Sequence, residues 1–173
     1  MLIVTTAATV EPVTATEAKQ RLRVTHTSDD TLLENLISSA REAVEMNTGR
    51  ALAAAEYRWV STEAEGTVLR LPLWPVASVE AVSYENADGD RQTMDAADYT
   101  LDGDRAQVRI DEIPDYATNW TVEFTVAPTG IPSSLKDAII LFVGDLYENP
   151  EAKLENSAAA DRLMFPHRVS LGL

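Results

Sequence analysis

The sequence predicts an α+β fold: a small bundle of about four helices, with a mostly antiparallel β subdomain inserted between the second and third. Three observations lead there. Apolar residues recur at three- and four-residue spacing near both ends of the chain. Between about Tyr57 and Val126, β-branched and aromatic residues alternate with polar ones. Turn signals interrupt that middle stretch, among them two Asp-Gly pairs. The 173 residues, 45% of them hydrophobic, suffice for a core without staples, since a chain near 150 residues buries roughly 70% of its extended surface.

Residues 1–13 read as an extended arm, rich in Thr, Val and Ala and punctuated by Pro12. Thr14 with Glu17 forms a capping box that starts a short helix to about Arg23. Ser28 to Asp30 offers the next N-cap. The helix behind it is the strongest in the chain: Leu32, Leu33, Leu36, Ile37, Ala40, Ala43 and Val44 make one apolar face. Glu34, Arg41, Glu42 and Glu45 fall largely off that face, and Gly49 supplies the C-cap.

The middle reads as five or six strands. Candidates are Tyr57–Val60, Val68–Leu71, Val76–Tyr84, Tyr99–Leu101, Gln107–Ile110 and Trp120–Val126. Asn86-Ala87-Asp88-Gly89 and Asp102-Gly103-Asp104 are the hairpin turns. Helical spacing returns over Leu135 to Tyr147 and stops at Asn149-Pro150. A weaker helix spans about Ala152 to Met164, and the tail from Phe165 carries no pattern. The expected divisions are an N-terminal arm (1–13), a first helical segment (14–55), the β insertion (56–130), a second helical segment (131–164) and a C-terminal docking tail (165–173).

Composition removes several chemistries. With no cysteine, disulfide scaffolds, thiolate zinc sites, iron–sulfur clusters and cysteine nucleophiles are excluded. His26 and His167 are far apart, which argues against a histidine metal site, and both read as surface or interface residues. No apolar run reaches the roughly 18 residues of a membrane span. Met1 to Val4 lacks the basic flank of a signal peptide, so an intracellular or particle-borne protein is expected. No phosphate loop, dinucleotide fingerprint or nucleophile elbow is present. Asn119-Trp120-Thr121 matches a glycosylation acceptor, but by chance, within an expected strand.

The net charge is −14, from 28 acidic and 14 basic residues. Such a surface repels phosphate backbones. The stretch from Glu80 to Glu123 holds 12 acidic and 3 basic residues. A carboxylate pair there could serve a hydrolase, but most of these acids fall in turns and read as a solvated face. Aligning either Asp-Gly-Asp turn with a calcium loop fails at the ligand positions: Tyr84 or Arg109 stands where an oxygen ligand is required. No catalytic, cofactor-binding or metal-binding residue is therefore expected. The apolar tail is the more informative feature. Phe165, Pro166, His167, Arg168, Val169, Leu171 and Leu173 are the candidate docking residues. Docking on a partner is preferred over self-packing or disorder, because exposed apolar segments on acidic proteins point to assembly.

The order of features resembles the tailed-bacteriophage head–tail connector family, also called adaptor or head-completion proteins, in its longer form with a β insertion. The likeness begins with Thr16-Glu17-Ala18-Lys19 and Leu22-Arg23-Val24, then Asp29-Asp30, Leu33, Ile37, Ala40-Arg41, Val44-Glu45 and Thr48-Gly49-Arg50. It continues through Leu71 to Val76, Val79, Val82, Asp88-Gly89 and Tyr99. Ile131-Pro132, Leu135-Lys136, Ala138-Ile139, Leu146-Tyr147-Glu148-Asn149 and Leu163 to Arg168 complete it. This chain departs from the family at His167, where Tyr is common, and at Pro128-Thr129-Gly130, where Gly-Tyr is common.

The resemblance implies a non-enzymatic structural protein without cofactors. It implies a homo-oligomeric ring, usually of twelve copies, bound to a portal protein and to a stopper or tail-completion protein. DNA would pass through the channel without specific binding, and no membrane is involved. The location implied is the head–tail junction of a virion, prophage or gene transfer particle assembled in the bacterial cytoplasm. Acidic side chains lining the channel would let DNA slide. Two rivals stand beside it: an acidic DNA mimic or other protein-binding module, and a carboxylate-dependent hydrolase.

Overall fold

The computed structural model describes residues 1–149, 151 and 157–169. Its elements, in order, are β1 (Leu2–Thr6), α1 (Ala15–Leu22), α2 (Asp30–Thr48), β2 (Ala55–Ser61), β3 (Val68–Arg70), β4 (Val76–Glu85), β5 (Arg91–Thr93), β6 (Tyr99–Asp102), β7 (Gln107–Ile110), β8 (Thr118–Val126), α3 (Ser133–Glu148) and α4 (Ala158–Met164). The α+β class and the strands between the second and third helices agree with expectation. Among the described residues the chain divides into two compact units. A β unit comprises Met1–Thr9 and Ala53–Pro128, and a helical unit Val10–Leu52 and Thr129–Val169.

In the helical unit, α1 starts as the sequence requires. The Thr14 hydroxyl accepts from the Glu17 amide at 3.2 Å, and Glu17 accepts from the Thr14 amide at 2.7 Å. Those bonds hold the Glu17 carboxyl below its ordinary pKa, the backbone bond to Thr14 most of all. Gly49 closes α2 in the left-handed region at φ 67°. The core joins Leu33, Ile37 and Val44 of α2 to Leu135, Ile139 and Phe142 of α3, with Ala160 and Met164 of α4.

Two residues placed off the apolar face of α2 turn out to be buried. Arg41 is 4% exposed and Glu45 2%. They bond each other one helical turn apart. Glu45 also accepts from the Leu52 amide at 2.6 Å, and Arg41 Nε donates to Glu11 at 2.9 Å. Paired charges can be buried where lone ones cannot; the pair itself is local, and Glu11 is its distant partner.

The β unit holds a five-stranded antiparallel sheet, ordered β1-β2-β8-β4-β5, and a three-stranded sheet, β3-β7-β6. That is more strands than expected, and in two sheets. β1 comes from the arm and lies on β2, with the Met1 ammonium donating to the Val60 carbonyl at 2.6 Å. β5, all exposed and only three residues long, was too short and polar to show a pattern. β8 is paired on both sides, and side chains on both of its faces are buried: Trp120, Val122, Phe124 and Val126, but also Thr121. Tyr57 stacks on Phe124 at 5.7 Å between ring centres.

Candidate docking surfaces

The tail does not stay patternless. Phe165–His167 forms a 3₁₀ turn directly behind α4. His167 Nε2 lies 2.7 Å from the Ser134 hydroxyl at the start of α3. Arg168 donates to Asp161 at 2.6 Å, and the Val169 amide donates to the Thr48 carbonyl at the end of α2 at 2.8 Å. Each contact reaches a residue that pattern reading could not link to the tail. The result is a turn tied to three helices of its own unit.

What that turn leaves outside is apolar. Phe165 is 69% exposed, with the Arg168 guanidinium 5.9 Å from its ring centre. Pro166 and Arg168 are exposed; His167 and Val169 are half-buried. Leu171 and Leu173 lie outside the described residues. The structure thus brings together five of the seven expected docking residues, as a fixed knob rather than a loose strand.

The opposite terminus exposes a second apolar segment. Met1, Ile3, Val4 and Val10 are all exposed. β1 is an edge strand, so its outer backbone groups lack a strand partner among the described residues.

The carboxylates of the middle stretch are mostly solvated, and their turns are hairpin turns. Asn86 Oδ1 accepts from the Asp88 and Asp90 amides at 3.0 and 2.9 Å, which fixes the Asp88-Gly89-Asp90 turn between β4 and β5. Among the described residues no group of acids and histidines has metal-binding geometry, and no helix is long and apolar enough to cross a membrane. Asp29 precedes α2 without a side-chain capping bond. Its carboxylate instead accepts from the Tyr147 hydroxyl at 2.6 Å, tying α3 to the start of α2. That bond, and then the one from Ser28, lowers the Asp29 pKa, while the Tyr147 pKa rises.

Comparison with known proteins adds an independent finding. The family model described as "Phage gp6-like head-tail connector protein" matches residues 13–105. Among solved structures, a chain in the virion of the native gene transfer agent (GTA) particle is similar over 98% of this chain and 95% of its own, at TM-score 0.72 and 24% identity. A chain in the neck of the empty GTA particle, computed with C6 symmetry, has TM-score 0.73 and 24% identity over the same shares. One in the neck of the native particle, computed with C12 symmetry, has TM-score 0.69 and 22% identity, again over 98% and 95%. No curated protein sequence matches.

Proposed function

The chain belongs to the phage gp6-like head–tail connector family, and from that premise we propose that it forms a ring at the head–tail junction of a phage or phage-like particle. Its role there is structural, not enzymatic. The observation that carries this reading is the family match together with a full-length fold likeness to a chain in a neck computed with C12 symmetry. The ring has twelve copies, extends the DNA channel below the portal protein, and presents a platform to a stopper or tail-completion protein. Residues 14–55 and 131–164 form its helical body, with residues 56–130 as the β insertion. The net charge of −14 suits a channel that DNA traverses without sticking.

The tail is the portal-facing element. Phe165 presents an exposed ring beside Arg168, which matches the apolar-plus-Arg chemistry of interface hot spots. Leu171 and Leu173 are assigned to the same docking role.

Native mass spectrometry of the protein mixed with the portal protein of the same genome tests both statements. The expected result is about twelve copies per portal ring, with binding weakened in a chain ending at Met164. Binding that survives truncation refutes the tail's role and leaves the ring. No complex at low or moderate salt refutes the connector reading and turns the search to DNA-binding proteins that an acidic mimic would occupy.

A further inference from the structure

We propose that one face of α1 receives the acidic loop 111–116 of a second copy, joining neighbours head to tail around the ring. The inference rests on the ring reading above.

Thr16, Lys19, Gln20 and Arg23 stand at spacings of three, four and seven residues, so they form one stripe along α1. With Val24 and Thr25 they line an open groove of about 400 Å³. The opposite face of α1 is committed inward, through Ala18 and Leu22. The stripe carries two cations and no acid. Lys19 leans on Asp30 at 2.6 Å. Arg23 is exposed and makes no ion pair among the described residues. It sits in the left-handed region, φ 58°, where the chain leaves the helix.

The β unit holds the complementary surface. Asp98, Asp111, Glu112 and Asp115 line a concavity of about 390 Å³ whose lining has no basic residue. None of the four makes an ion pair with a described residue. The Asp111 amide donates to the Asp98 carbonyl at 3.0 Å, which holds the loop base against the turn before β6. At the loop's far end Tyr116 is 80% exposed, with φ 60°. A ring so placed can cover a guanidinium such as that of Arg23.

Net charge disfavours contact between two β units. Residues 53–128 carry fifteen acidic and five basic residues, a net of −10; the rest of the chain carries thirteen and nine, a net of −4. Two β units facing each other repel most strongly. A β unit against the next helical unit repels less, and at the cationic stripe it gains local ion pairs. The two surfaces are unlike, so the contact is heterologous, and a heterologous contact is the kind that closes into rings.

The chain contains no cysteine, which gives a clean background for cross-linking. Arg23→Cys and Asp115→Cys, combined in one chain, assembled on the portal protein and treated with a short bis-maleimide, should give a ladder of covalent oligomers. Either substitution alone should leave monomers. Charge reversal supplies a second readout. Arg23→Glu or Asp115→Arg alone should weaken assembly by about tenfold, and the two together should restore most of it. Both positions are exposed, and circular dichroism checks that each variant is folded. A double-cysteine chain that stays monomeric within an intact ring overturns the docking assignment while the ring stands. So do single reversals that assemble like the parent. A parent chain that forms no ring overturns both readings.

Discussion

Removing the Glu45 carboxylate should be the most destabilising single change in the helical unit short of opening its core. Glu45 is 2% exposed and accepts from Arg41 and from the Leu52 amide, at 2.6 Å for the latter. Glu45→Ala leaves the buried Arg41 with Glu11 and Glu42, whose side chains are 26% and 56% exposed. Breaking a buried pair from one side costs about 3–5 kcal/mol. The orphaned Leu52 amide belongs to the same loss, since an unsatisfied buried donor costs about 1–3 kcal/mol. We expect about 4 kcal/mol in total, or a fall in Tm of about 8–16 °C for a chain of this size. Glu45→Gln keeps an acceptor for Leu52 and should cost roughly half as much. Arg41→Met combined with Glu45→Leu removes both charges and should cost less than Glu45→Ala, because replacing a whole buried pair is close to neutral. Urea unfolding followed by far-UV circular dichroism gives all three values. A cost below about 1 kcal/mol for Glu45→Ala would refute the reasoning, as would strict additivity of the two single changes.

Three further outcomes are expected. Gly103→Ala places a Cβ 2.6 Å from the Val76 backbone carbonyl oxygen. It should destabilise the β unit by about 1–3 kcal/mol, read from the fluorescence of Trp120, which is buried there. Thr14→Ala removes the α1 cap and should cost about 1 kcal/mol in the same urea assay; an unchanged midpoint would count against the capping box as a stabilising device. Asp29 has a depressed pKa, first from Tyr147 and then from Ser28. Its stabilisation is therefore full above the ordinary aspartate range and lost as pH falls through the lowered value. Carboxyl NMR should show Asp29 titrating below that range in the parent and closer to it in Tyr147→Phe. Identical titration curves would remove the Tyr147 bond as the cause.

The docking turn shows most clearly where local reading stops. His167, Arg168 and Val169 were identifiable as candidates because an apolar terminal segment is unusual on so acidic a chain. Their conformation was not, because it depends on Ser134, Asp161 and Thr48. Two of those three partners belong to elements more than thirty residues away. The α1 groove escaped notice for a related reason. Lys19 and Arg23 look like the ordinary basic end of a helix, and only the fold shows that they line one groove with no acid in its lining. The acidic loop was visible as charge, and its concavity was not.

What the sequence determined by itself is local and periodic. The Thr14–Glu17 box, the apolar faces of α2 and α3, the Gly49 stop and the two Asp-Gly turns follow from spacing and side-chain chemistry within a few residues. The ordered set of those features also sufficed for the family resemblance. Only the tertiary structure decided that the arm becomes the edge strand β1, that the strands divide into two sheets, and that Arg41 and Glu45 are buried. The pairing of β1 depends on a strand some fifty residues away, and the buried Arg41 reaches Glu11 across 30 residues. An isolated segment carries no record of which distant backbone or carboxylate will satisfy its polar groups.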